Sequence, residues 1–135
     1  MKESRDLVRD WLRKADSDLT ILTSALNEEH ALDTACFHAQ QAAEKFLKAY
    51  LVAQDADVPR THNLAKLVDL CRGYDVEFAG LRSLADALTP YAVDLRYDLD
   101  FWPSVEVARE ARNAAQDIRA FVVSRLPREF RYGSL

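Results

Sequence analysis

The sequence predicts an all-α protein, an up-and-down bundle of four to five helices. Apolar residues recur at helical spacing over every long segment between breakers. Only three Gly and four Pro punctuate the 135 residues, so helices have room to run. An apolar content of 49% at this length supports a real core without disulfides or metal. These bounds predict one helical domain over 1–127 and a short, flexible tail over 128–135.

The first helix opens with Ser4 as N-cap, and Leu7, Val8, Trp11, Leu12, Ala15, Leu19, Leu22, Ala25 and Leu26 mark one face. Asn27–His30 reads as the turn, with His30 an exposed loop residue. The second helix runs from Leu32 or Asp33 to about Ala53, and the short connection predicts an antiparallel hairpin. Its stripe, Ala35, Cys36, Ala39, Ala42, Ala43, Phe46, Leu47 and Tyr50, is mostly small and admits a close neighbour. The opposite side carries Thr34, Phe37, His38, Gln41, Lys45 and Lys48. Phe37, Gln41 and Lys48 share a side away from the Ala stripe, which makes them candidate dimer contacts.

After a polar loop over 54–60, Thr61 or Asn63 caps a third helix whose buried side is Leu64, Leu67, Val68 and Cys71, with Gly73 as its stop. His62 is placed to bond a neighbouring loop. A fourth periodic segment, Leu81 to Leu95, contains Pro90, which should kink or interrupt it. Ser104 caps a last long helix carrying Ala108, Ala111, Arg112, Ala115, Ile118, Val122 and Leu126, and Pro127 ends it. In the tail, Phe130 and Tyr132 are able to dock.

Net charge −4 excludes a protein that binds nucleic acid through its global charge, and leaves only a local patch for that purpose. Cys36 and Cys71 fall at apolar helical positions, as buried, reduced thiols of a cytoplasmic protein would. No signal-peptide core and no membrane-spanning run is present. Glycine-rich phosphate loops, Cys-x-x-Cys pairs and zinc-helix spacings are absent, so no metal and no cofactor is expected. What remains is Arg96, crowded by Asp94, Tyr97, Asp98, Asp100, Phe101 and Trp102. As packing, Arg96 would pair with Asp94 or Glu44 while the aromatics close one end of the bundle. As a site, its planar guanidinium would contact phosphate and Tyr97 or Trp102 would stack on a base.

Trp11 with Lys14 and Ala15, the run Phe37–Ala49, Thr61-His-Asn-Leu64, Tyr91, and Arg96-Tyr97 before an Ala-rich last helix together resemble the HEPN family. The resemblance spans roughly residues 5–126. It implies a bundle that dimerises, and a prokaryotic operon setting beside a minimal nucleotidyltransferase, often as a toxin–antitoxin pair. It also implies that active relatives are metal-independent RNases, with an Arg, a polar residue after it, and a His four to six residues beyond the Arg. Arg96 matches that Arg; Tyr97 follows, and Phe101, Trp102 and Pro103 stand where the His should fall. Loss of a general acid–base group costs ~10²–10⁴ in rate. The expected protein is therefore a non-catalytic or weakly catalytic HEPN partner of a nucleotidyltransferase. Arg96, Tyr97, Trp102 and Lys48 would face nucleotide or RNA. The alternatives are an RNase toxin with a rearranged site, drawing on His38 or His62, and a purely structural interaction module.

Overall fold

A computed structural model describes residues 3–130. Among them lie five α-helices and no strand: α1 (Ser4–Ala25), α2 (Leu32–Ala53), α3 (Leu64–Arg72), α4 (Arg82–Leu88) and α5 (Val105–Arg125). No described helix is long and apolar enough to cross a membrane. Both ends of α2 fall where the apolar pattern places them.

α1 and α2 form the antiparallel hairpin, as three cross-links in reversed order show. Ser4 Oγ donates to Asp55 Oδ1 at 2.9 Å, Lys48 sits over the Trp11 ring, and Lys45 Nζ donates to Asp18 Oδ2 at 2.6 Å. Ser4 is thus the first helical residue, not the cap, and its hydroxyl ties the start of α1 to the end of α2. Asp55 adopts the left-handed conformation (φ 56°), where a short polar side chain is tolerated. The Asp55 and Ala56 N–H groups close on the carbonyls of Val52 and Leu51, completing a left-handed helix stop.

α5 lies on the other side of α2 and runs in the same direction. Arg119 packs over Phe46, and Phe78 bridges Tyr50 of α2 to Phe121 of α5. α3 and α4 are the return path. Asn63 caps α3, accepting from Lys66 N at 3.2 Å. Gly73 follows in right-handed conformation, not as a left-handed stop. The segment around Pro90 is interrupted as its chemistry requires: α4 ends at Leu88 and a 3₁₀ turn over Thr89–Tyr91 takes up the proline. Ser104 Oγ caps α5, accepting from Val107 N. Beyond it, Phe130 packs on the core and Arg9 Nη2 donates to the Glu129 carbonyl. Tyr132 and the remainder of the expected flexible tail lie outside the described residues.

The core is continuous from Val8 to Leu126 and centres on α2, whose Ala and Cys stripe is fully covered. Burial pushes the thiols of Cys36 and Cys71 up to about 12, so both stay protonated. Four polar side chains are buried with it: Asp18, Gln40, Glu44 and Lys48. Each must find its partner inside the protein. Asp18 accepts from His38 Nδ1 at 2.8 Å and from Lys45. Glu44 accepts from Lys48 Nζ at 2.9 Å, His62 Nδ1 at 2.8 Å and Gln40 Nε2 at 3.3 Å. Removing one member of a buried charged pair leaves the other uncompensated. Glu44→Ala is therefore expected to destabilise the fold by about 3–5 kcal/mol in urea unfolding, and Glu44→Gln by less. A loss below about 1 kcal/mol for Glu44→Ala would show that the network is not holding α2 in place.

Candidate functional site

Phe37, Gln41, Glu44 and Lys48 recur every three or four residues and form one stripe along α2. The chain that follows α4 folds across the N-terminal end of this stripe. Successive turns carry it, with Leu95 N donating to Pro90 O at 2.9 Å, Asp98 N to Leu95 O and Phe101 N to Asp98 O. Phe101 anchors the far end by stacking on Tyr91, with ring centroids 5.8 Å apart and both rings packed on the core. Burial, then Cys36 and Glu110 nearby, raises the Tyr91 phenol above its ordinary value, so it stays neutral.

This anchoring sets Arg96 over Phe37, its Cζ 4.1 Å from the ring centroid. The expected pairing of Arg96 with Asp94 or Glu44 is not found: Glu44 is occupied by Lys48, His62 and Gln40, and Arg96 has no ion-pair partner among the described residues. An exposed guanidinium over an aromatic face spends none of its N–H donors on a carboxylate, which leaves them available to a phosphate or carboxylate from outside.

Tyr97 is 80% exposed and Trp102 66% exposed, and Leu99 between them is also exposed. Trp102 forms one wall of a cavity of about 670 Å³ between the α1–α2 turn and the start of α5, with Glu29, His30 and Ser104 on the other walls. His30, read as a plain loop residue, is thus a neighbour of Trp102. Lys48 is elsewhere: it is buried against Glu44 and Trp11, eleven residues or roughly 16 Å along α2 from Phe37. Its ammonium is spent inside the protomer. Phe37 is half-buried, with Arg96 on its face and His38 at its edge, 5.3 Å between ring centroids. Gln41 donates to Gln40 Oε1 at 2.7 Å.

Two histidines are held by buried carboxylates, which sequence reasoning missed. His38 Nδ1 donates to Asp18, and His62 Nδ1 donates to Glu44. No local signal marks these pairs, because each carboxylate lies eighteen or twenty residues from its histidine in sequence.

The arrangement is that of a small five-helix bundle bearing an arginine on an aromatic ledge. The comparisons define the class further: the HEPN domain model matches residues 8–126. The chain belongs to the HEPN family. It is similar to the solved structure of TT1696 from Thermus thermophilus, at 34% identity, with 88% of this chain and 98% of that one covered and a TM-score of 0.76. It shares its fold with ST0689, an archaeal HEPN homologue, at 24% identity, with 94% of this chain and 100% of that one covered and a TM-score of 0.73. No curated protein matches the sequence.

A solvent-exposed cation–π contact contributes about 0.5–1 kcal/mol. Arg96→Ala is therefore expected to lower stability by no more than about 1 kcal/mol in urea unfolding. A loss of several kcal/mol would make Arg96 a structural residue of the bundle end.

Proposed function

We propose that this chain is the non-catalytic partner of a minimal nucleotidyltransferase in a toxin–antitoxin-like pair. It acts as a homodimer and presents Arg96, Tyr97 and Trp102 to nucleotide or RNA. The observation that carries the reading is the state of Arg96, stacked on Phe37 and free of any described carboxylate partner. An exposed arginine with no carboxylate partner in the chain is available to an external anion. Exposed Tyr97 and Trp102 on the same segment supply flat apolar faces of the kind that stack on bases. Val93 and Leu99, also exposed there, together with Phe37 and Gln41 on α2, supply the apolar and polar surface for the second protomer. With Phe101, Trp102 and Pro103 at the spacings where a histidine is needed, the segment itself holds no imidazole to move a proton at neutral pH.

A specific observation favours a second reading, an RNase with a rearranged site. His38, oriented by Asp18, touches the edge of the same ring that Arg96 covers. The imidazole and the guanidinium can be no farther apart than the two ring-contact distances laid end to end. A carboxylate-held imidazole at that range has the chemistry of a general base. Its exposure is small, however, and its carboxylate is shared with Lys45.

The first reading predicts that the chain, co-expressed with a minimal nucleotidyltransferase from the same genome, co-purifies with it as a stable complex through gel filtration. Separate elution of the two at micromolar concentration would remove the partnership.

A further inference from the structure

The loop between α2 and α3 ends in a second arrangement of side chains, outside the Arg96 ledge. Glu44, only 4% exposed, fixes His62 through Nδ1 at 2.8 Å, and Gln40 Nε2 donates to the His62 carbonyl at 2.9 Å. Backbone and ring are thus both pinned to α2. The Glu44 charge is already met by Lys48 Nζ, so His62 is not needed to neutralise it. The ring is nonetheless largely exposed, and its Nε2 has no partner among the described residues. His62 lines a cavity of about 330 Å³ with Arg60, Thr61, Asn63, Thr89 and Asp94. Arg60 is exposed and has no ion-pair partner among the described residues.

This cavity and the Arg96 ledge are close along the chain, because Val93 and Asp94 line the one and Arg96 follows two residues later. They also share a mount. Arg96 lies over Phe37 and His62 is held on Glu44; the two α2 positions are seven residues apart, so they lie on the same face. Two helical turns separate them, roughly 10 Å. A planar guanidinium at one end and a second guanidinium at the other, beside a fixed imidazole that donates from Nε2 as the imidazolium because Nδ1 is already given to Glu44, present donors spaced along a line. That pattern suits an extended polyanion better than a single small anion. Asp94 on the rim is the one acidic side chain lining the cavity and opposes an anion there.

We infer that His62 and Arg60 form a second phosphate-contacting position, so that the backbone of single-stranded RNA spans the surface from Arg96 to the His62 cavity. The inference rests on the reading of Arg96 as a phosphate contact and extends it to a ligand that one nucleotide cannot satisfy.

The test is fluorescence anisotropy with the full chain, using a labelled dinucleotide and a labelled single-stranded RNA of about ten residues, within the range of known single-strand site sizes. Arg96→Ala weakens both probes. His62→Asn keeps an N–H for Glu44 and removes the imidazole; it and Arg60→Ala each weaken the longer RNA by about threefold to tenfold and leave the dinucleotide unchanged. Arg60→Ala also reduces the slope of log affinity against log salt by about 0.7, the value for one single-strand phosphate contact. Asp94→Asn tightens the longer RNA. Arg60 is on the surface, so its variant carries the test if His62→Asn lowers the melting temperature. If Arg96→Ala weakens binding while Arg60→Ala and His62→Asn bind like wild type, the second position falls and the Arg96 reading stands. If wild type binds neither probe, both fall.

Discussion

α2 has neighbours on nearly every side, and that constraint governs the rest of the molecule. α1 covers one flank, α5 another, and the α2–α3 loop and the 89–104 segment cover the remainder. The polar side chains buried on such a helix need internal partners, and Gln40, Glu44 and Lys48 find them. Asp18 comes from α1 to answer His38 and Lys45; His62 comes from the following loop to join Lys48 and Gln40 around Glu44. These contacts fix where the loop and the hairpin partner stand relative to α2. A fully apolar α2 would pack as well, but it would specify those positions less tightly.

The candidate surface around Arg96 is a consequence of the same constraint. Pro90 prevents α4 from continuing, and the chain is left to cross the N-terminal end of α2 as a series of turns. Tyr91 and Phe101 pin its two ends to the core, Ala92 is buried, and Val93, Asp94 and residues 96–100 are exposed. Arg96 finds an aromatic ring rather than a carboxylate, which leaves its charge available. Exposed loop residues on a rigid support are where binding groups are commonly found. Here the support is the most buried helix of the bundle.

The helices were legible because their signals are local. Gly and Pro are scarce, Ser104 and Asn63 are caps by chemistry, and the apolar spacing marks α1, α2 and α5 to within a residue or two of their ends. Ser4 misled because its hydroxyl has a better partner in Asp55, more than fifty residues away, than in the backbone of its own first turn. The site was half legible. Arg96, Tyr97 and Trp102 stand out by composition, and the structure leaves all three exposed on one segment. Lys48 looked like a surface cation because it falls on the non-alanine side of α2. Its burial depends on Trp11 and Glu44 meeting it, a tertiary fact that periodicity does not encode. The same holds for the two carboxylate-held histidines, whose partners are eighteen and twenty residues distant in sequence.

The most direct test of the non-catalytic reading is cleavage of a defined RNA by the purified protein, beside Arg96→Ala purified identically. The variant controls for contaminating nuclease. Equal background cleavage by the two proteins, with no product specific to wild type, is the result expected of a bundle that keeps the arginine and lacks the motif histidine. Cleavage by wild type that disappears in Arg96→Ala would contradict it, and would place the proton transfer on His38 or His62.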